Sequence, residues 1–392
     1  MRLINPYTPG AGKMPSYLAG RETLLDEAEA NILATVKGYP QNPIIYYGLR
    51  GVGKTVLLNA IEKIADEQPI IHEYIEIAER GSFAKQIAIC SQKISHRLSY
   101  IAAAKDFMEK IKHVVSSFYV TYNPTDNTFT TGLTESSPYN AIGNISEDLT
   151  DLIVTLGKVA AKANTPICIF VDEIQYMKKN ELEALINALH RSNQLRLPII
   201  FFGAGLPKIL KICGEIKSYS ERLFHFIEID SLNEIDAQKA IMEPAKDFDV
   251  TFTPDAITEI IHETKGYPYY IQALCSMVWK KTNHDVITIS DIIEAVPYHY
   301  RELDQSFFKV RFDRCTKKEQ DFLFAMVACG ELPCTIANVA HFMHSNVTRI
   351  SPCRAQLIDK GLIYSAGHGL IDFTVPQFDG YLRRLQSASL EA

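Results

Sequence analysis

Pro43-Ile44-Ile45-Tyr46-Tyr47-Gly48-Leu49-Arg50-Gly51-Val52-Gly53-Lys54-Thr55-Val56-Leu57-Leu58 runs from an apolar stretch, through glycines at 48, 51 and 53, into a helical pattern. A buried strand, a glycine-rich turn and a helix in that order make the G-x-x-x-x-G-K-T spacing a P-loop in its required context. The turn must aim backbone N–H groups at a polyanion, and glycines permit both the dihedrals and the close approach. The helix that starts there adds a dipole favouring negative charge. The residues Gly48, Leu49, Arg50, Gly51, Val52, Gly53, Lys54, Thr55 and Val56 are therefore expected to hold the phosphates of a nucleotide. Lys54 reaches the β- and γ-phosphates, and the Thr55 hydroxyl is a ligand of the Mg²⁺ that accompanies a nucleoside triphosphate.

A second stretch completes this chemistry. Pro166-Ile167-Cys168-Ile169-Phe170-Val171-Asp172-Glu173 is an uninterrupted apolar strand that ends in two acids. A strand apolar on both faces belongs inside a covered parallel sheet, and its C-terminal acids emerge beside the P-loop. Asp172 is expected to hold the Mg²⁺ through water, and Glu173 to orient or deprotonate the attacking water.

Around these two stretches strands and helices alternate. A helix is expected over Glu22 to Val36, a strand over Ile70 to Ile77, and a long helical pattern from Phe83 to about Val114. A helix from about Ser146 to Ala163 precedes the acidic strand. Asn180 is read as the cap of the next helix, and Pro198 to Gly205 and Phe224 to Ile229 supply two further strands. The pattern predicts an α/β fold, a doubly wound parallel sheet over residues 1–230. Phe118-Tyr119-Val120-Thr121-Tyr122 and Thr128-Phe129-Thr130-Thr131 alternate around a turn, which predicts a hairpin insertion at about 117–132. Gly10-Ala11-Gly12-Lys13-Met14 imitates the end of a P-loop, but no strand precedes it and Met14 stands where Ser or Thr is needed.

From residue 231 helices dominate. Thr253-Pro254 opens one, Gly266-Tyr267-Pro268 breaks it, Tyr269 to Lys281 forms another, and Ser290 is read as the cap of a shorter one to about Val296, giving a small helical domain over 231–299. Residues 300–392 read as three helices and a hairpin, Gly361 to Tyr364 against Leu370 to Phe373, the pattern of a winged helix.

The chain has 392 residues, a net charge of −6 and 47% hydrophobic residues. That is long enough for two or three domains and carries no overall basic field for nucleic acid or an anionic membrane. No apolar run is long enough to span a bilayer, and no signal-peptide pattern opens the chain, so a cytoplasmic protein is expected. Eight scattered cysteines suit reduced thiols. The subset Cys329, Cys334, His341 and His344 lacks a usual structural-zinc spacing and reads as an ordinary packed segment. In residues 301–392 eleven Lys/Arg face ten Asp/Glu, a net of +1. DNA contact there would have to be local, with Arg349 and Arg354 as candidates. The hairpin tip Ser365 to Gly369 has no Lys or Arg, and winged helices also bind proteins.

With Gly20-Arg21-Glu22, the P-loop, Val171-Asp172-Glu173-Ile174-Gln175, Gly203-Ala204-Gly205-Leu206-Pro207, Gly266-Tyr267-Pro268 and Asp359 to Tyr364 in place, the chain resembles a known group. It is similar to bacterial ATPases with an origin-recognition-like AAA+ domain, related to the archaeal-type and STAND ATPases. The resemblance implies an AAA+ type core, a helical lid and a winged helix, with ATP rather than GTP as the nucleotide. It implies that Pro268 closes over the nucleotide, although a plain helix-breaking turn reads the same. Arg222 falls where such proteins carry an arginine finger for a neighbouring subunit, or it is a surface arginine. The strand ending at Gly203 lacks the polar residue that usually positions water, which implies slow turnover. Two functions follow: a nucleotide-driven switch that engages duplex DNA, or a STAND-like signalling or defence ATPase that acts by assembling with itself or a protein partner. A module that binds nucleotide without hydrolysing it is a third.

Overall fold

The structure is a computed structural model that describes residues 4–79, 81–101, 108–121 and 144–391. The chain divides into two compact units, one of residues 21–48 and 54–229 and the other of residues 1–20, 49–53 and 230–392.

The first unit opens with α1 (Glu22–Val36), β1 (Ile44–Tyr47) and α2 (Lys54–Asp66). It continues with β2 (Ile71–Glu76), α3 (Phe83–Ser99), α4 (Met108–Thr121), α5 (Ile145–Ala163) and β3 (Ile167–Asp172). It ends with α6 (Lys179–Gln194), β4 (Ile199–Gly205), α7 (Lys208–Ile216), α8 (Ser220–Leu223) and β5 (His225–Glu228). The five strands form one parallel sheet in the order β2-β3-β4-β1-β5. The pattern of side chains follows from that order. The inner strands β3 and β4 are buried at every residue, whereas the edge strand β2 alternates and the other edge, β5, is half exposed. On one face Ile45, Ile169, Val171 and Phe201 pack with α3, α4, α5 and α6. On the other, Tyr46, Phe202, Phe170 and Tyr74 form a row of stacked rings with centroids 5.5–6.4 Å apart. Phe170 and Phe202, both fully buried, each contribute roughly 1.5–3 kcal/mol of transfer free energy.

Two local expectations are corrected here. Residues Phe118 to Thr121 are the last turn of α4 and not a strand. Ile111, Val114, Val115 and Phe118 are all buried at i, i+3, i+4, i+7 spacing, and this helical stripe overrides the β-propensity of Phe-Tyr-Val-Thr. The rest of the expected hairpin, 122–132, lies outside the described residues. Asn180 is not the cap of α6, which starts at Lys179. The buried Glu181 carboxylate caps instead, accepting from the Lys178 N–H (3.3 Å) and from the Ser82 hydroxyl and Ala84 N–H (2.7 and 3.1 Å) at the start of α3.

The second unit contains α9 (Glu234–Lys246), β6 (Thr251–Phe252), α10 (Pro254–Thr264), α11 (Pro268–Lys281), β7 (Val286–Ile287) and α12 (Ile289–Glu302). A π-helical turn, Leu303–Phe308, then leads into α13 (Lys309–Phe312), α14 (Lys317–Ala328), β8 (Cys334–Thr335), α15 (Ile336–Phe342) and α16 (Val347–Asp359). The chain closes with β9 (Ile363–Gly367), β10 (Leu370–Phe373) and α17 (Phe378–Glu391). Helices α9 to α12 surround a core that includes Ile241, Ile260, Leu274, Trp279 and Ile292. The N-terminal lead closes it: Trp279 Nε1 donates to the Ile4 carbonyl at 2.7 Å, and the Tyr7 hydroxyl donates to Ile241 at 2.5 Å. Thr288, and not Ser290, caps α12, its N–H and hydroxyl both donating to Asp291 at 2.8 Å. That helix continues through Pro297 to Glu302, well past the expected Val296.

Over residues 316–391 the three expected helices and the hairpin are present, with two additions. The short strand β8 pairs with β10 to make a three-stranded antiparallel sheet, β8-β10-β9, and α17 follows the hairpin. Phe308, from the π-helical turn, packs with Phe378 and Tyr381 of this segment, with ring centroids 5.4–5.8 Å apart. Cys329 and Cys334 hydrogen-bond to one another, while His341 and His344 are exposed.

Candidate functional site

The first unit assembles its site at the C-terminal ends of β1, β3 and β4, where a parallel sheet places its binding crevice. Lys54 is the first residue of α2. It is buried, and its Nζ donates to the Gly48 carbonyl at 2.9 Å. Thr55 follows, and its hydroxyl donates to Asp172 Oδ2 at 2.6 Å. The sequence separates these two by 117 positions, and the pairing of β3 with β4 and of β4 with β1 brings them together.

Asp172 is 2% exposed, and burial raises its pKa above the ordinary carboxylate range against the pull of Thr55 and a nearby Lys54. Its other oxygen accepts from the Glu173 N–H at 2.7 Å, and the Tyr74 hydroxyl donates to Oδ2 at 3.2 Å. Burial and that carboxylate together push the Tyr74 phenol far above its usual pKa. Glu173 stands just past the strand in a left-handed conformation, φ +53°. The Gln175 side-chain amide donates to its carboxylate.

The turn Leu49–Gly53 makes its own contacts within the second unit. Gly51 and Gly53 have φ of +87° and +94°, a region that L side chains rarely adopt, and a Cβ on Gly53 would meet nothing within 4 Å. The Arg50 N–H donates to the Thr374 carbonyl at 3.2 Å, and the Gly51 carbonyl accepts from the Tyr269 N–H at 3.3 Å. Arg311, stacked over the Phe307 ring with its guanidinium carbon 4.0 Å from the centroid, is pushed down in pKa by burial and by the positive charge of Arg50.

Of the remaining candidates, Pro268 is the first residue of α11, two residues after Gly266 at φ +70°. Arg222 is exposed in α8, ahead of the edge strand β5. Arg349 is exposed near the start of α16, and Arg354, half-buried on the same helix, donates to the Ser365 hydroxyl at 3.3 Å. Tyr74 and Gln175 were not singled out by the sequence as site residues. Tyr74 is the tyrosine of an alternating strand, and only the register of β2 with β3, which sets it opposite Phe170, lets its hydroxyl reach Asp172 two residues further on.

These observations agree with the comparisons. Residues 17–202 match the family described as AAA ATPase domain. This part of the chain is similar to an AAA ATPase domain and has the P-loop and parallel sheet such a domain needs. Residues 305–382 match a family described as a domain of unknown function, DUF8462. No curated protein matches the chain. Among solved structures, a Walker-type ATPase of Pyrococcus abyssi is 15% identical with a TM-score of 0.55, over 93% of this chain and 96% of that one. The ORC1 protein of Aeropyrum pernix in complex with DNA is 13% identical with a TM-score of 0.49, over 96% of both chains. The P-loop, the order of its parallel sheet and the Pyrococcus match give the AAA domain the AAA+ P-loop fold. No described helix is long and apolar enough to cross a membrane.

Proposed function

We propose that the protein is an ATP- and Mg²⁺-binding, slowly hydrolysing switch whose nucleotide state controls a C-terminal winged helix that engages duplex DNA. The observation that carries the switch is the pair of backbone hydrogen bonds on the turn 49–53, from Arg50 to Thr374 and from Tyr269 to Gly51. A turn built to change partners when phosphate arrives is bonded to the residue after β10 and to the first turn of α11.

The residues fit the nucleotide and its metal. Thr55 and Asp172 present two hard oxygen atoms side by side, as Mg²⁺ requires, and the positive-φ glycines leave the turn open to a polyanion. The bound nucleotide supplies the phosphoryl group and the metal supplies charge that offsets its negative oxygens. Lys54 exchanges the Gly48 carbonyl for phosphate oxygen, and Gly48 to Val56 orient the chain around it. The Thr55 hydroxyl and the Glu173 N–H donate to Asp172 and offset part of the cost of burying its charge. Glu173 takes the proton of the attacking water at its carboxylate. In this reading Arg222, which is exposed, would serve as the arginine finger for a neighbouring subunit's nucleotide, the surface arginine being its other role, and Pro268 would belong to the lid motif. The strand end Gly203-Ala204-Gly205 offers no polar side chain to position water, which supports slow turnover. All eight cysteines are thiols, most of them buried, consistent with a cytoplasmic setting.

A second reading, a signalling or defence ATPase acting through protein assembly, is favoured by the hairpin. Its tip has no Lys or Arg, and Arg354 donates to Ser365 within the segment. Duplex-DNA binding at two salt concentrations, with ATP, ADP or neither, separates the two. The switch predicts binding that depends on nucleotide, weakens with salt and loses its nucleotide response in Lys54→Ala. Absence of binding in every state refutes the DNA role and leaves assembly.

A further inference from the structure

Gln175 is 5% exposed, and both ends of its amide are committed within the first unit. Its Nε2 donates to Glu173 Oε2, and its Oε1 accepts from the Leu206 N–H at 2.9 Å, just past the end of β4. The preceding residue, Gly205, accepts from the Gly48 N–H at 3.2 Å, and the Gly48 carbonyl accepts from Lys54 Nζ at 2.9 Å. A continuous line of hydrogen-bonded groups therefore runs from the P-loop lysine, along the end of β4, to the carboxylate of Glu173.

The glycines of this stretch are shaped to admit Gln175. A Cβ on Gly205 would stand 2.8 Å from Gln175 Oε1 and 2.8 Å from Ile174 Cγ2, and one on Gly203 would stand 3.4 Å from Ile174 Cδ1. A side chain at the end of β4 would displace the glutamine. The strand end that carries no polar side chain of its own is occupied by a polar side chain from the turn after β3.

We infer that Gln175 is the positioning residue for Glu173: it fixes the carboxylate and ties it to β4 and through β4 to the P-loop. The inference rests on Glu173 acting as the base. A neutral amide donor fixes the position of one carboxylate oxygen without competing for the proton that the base is to take. A glutamate side chain has several rotamers, and the hydrogen bond from Gln175 favours one of them.

The test compares Glu173→Gln, Gln175→Leu, Gln175→Glu, Gly205→Ala and the double variant Glu173→Gln/Gln175→Leu in the full chain. The readouts are ATP turnover across pH, ADP affinity and melting temperature. Gln175→Leu should lower kcat by about tenfold or more, a part of what a positioned base supplies, with ADP affinity and melting unchanged within twofold and a few degrees. Gly205→Ala, which evicts the same amide, should do likewise. Gln175→Glu keeps the shape but sets a second carboxylate against Glu173, so the acid limb of its pH profile should move upward. The double variant should be no slower than Glu173→Gln alone. Wild-type kcat and pH profile in the Gln175 variants, with Glu173→Gln inactive, overturn the inference alone. An additive double variant also overturns it. Undiminished turnover in Glu173→Gln overturns the base assignment and this inference with it. If Gln175→Leu does not fold, the isosteric Gln175→Glu decides.

Discussion

Replacing Gly266 by alanine should unfold the helical core of the second unit at markedly lower denaturant. Three features of the position set the size. Gly266 lies at φ +70°, where an L residue costs about 1–2 kcal/mol. Its carbonyl accepts from the Leu232 N–H at 2.9 Å, a bond worth about 1 kcal/mol net. An added Cβ would stand 2.4 Å from the Leu232 carbonyl oxygen, which is backbone and cannot rotate away. Relief requires the two strands of chain to separate, and such a shift in a packed interior costs roughly 1–3 kcal/mol. The loss should be about 3–6 kcal/mol, a large share of the 5–15 kcal/mol that holds a typical domain.

The protein carries its own reporter for this region. It has one tryptophan, Trp279, which is 1% exposed among Ile4, Tyr7, Phe248 and the helices α9 to α12. Tryptophan fluorescence in a urea titration therefore follows this core and not the parallel sheet. The variant's midpoint should fall while the slope stays the same. A shift worth less than about 1 kcal/mol would refute the claim that this glycine is required by its backbone and by the Leu232 carbonyl.

Three further outcomes follow from the same structure. His299 is buried, and burial and the nearby Arg384 charge outweigh Asp304 and lower its pKa from 6.5 to about 4. The unfolded chain therefore takes up the proton first, so stability is full above pH 6.5 and falls by about 3 kcal/mol as pH drops to 4; His299→Leu should flatten that slope in Trp279-monitored unfolding, and an unchanged slope would refute it. Asp172 is raised in pKa by burial, so its ionised form is a cost to the nucleotide-free fold; Asp172→Asn should raise the melting temperature at pH 7, and a lower one would count against this account. Lys54→Ala should abolish the rise in melting temperature that ATP with Mg²⁺ gives the wild-type chain, because the phosphates lose their cation; an undiminished rise would place the nucleotide elsewhere.

The sequence carried the parallel sheet because its central strands are apolar throughout, and a run such as Ile167 to Val171 admits no other place in an α/β fold. Glycine spacing, read with the helix that follows it, located Lys54 and Thr55 in the same way. What stayed hidden depends on where two distant segments meet. Phe118 to Thr121 looks like a strand until the buried stripe from Ile111 is counted with it. β8 is only two residues long and exists because Leu370 and Ile371 lie opposite it. Pro297 looks like the end of α12, but the helix runs on past it, beside the exposed Ile293, where a missing hydrogen bond costs least. Gln175 gives no periodic signal at all. Its clue was the run Gly203-Ala204-Gly205, where two glycines in a buried strand mark a close approach by another group.

The contacts on the turn 49–53 explain why the proposed switch is hard to read from residue types. Arg50 N–H, the Thr374 carbonyl, the Tyr269 N–H and the Gly51 carbonyl are all main-chain groups, which every residue but proline can supply. Substituting the side chains of Tyr269 or Thr374 therefore leaves the hydrogen bonds available, so such changes should act only through packing, as where Tyr269 stacks on Phe307. The positions that cannot vary are those that set backbone direction: Gly51 at φ +87°, Gly266 at φ +70° and Pro268, whose ring starts α11 so that the next N–H points outward from the helix. Tyr269 contributes one of the first N–H groups of α11, which have no partner inside the helix, and Gly51 accepts it. Moving that carbonyl when the turn closes on phosphate would leave a helix N-terminus without its acceptor. A nucleotide signal thus has a route from the turn into α11 through a group that the helix itself cannot satisfy.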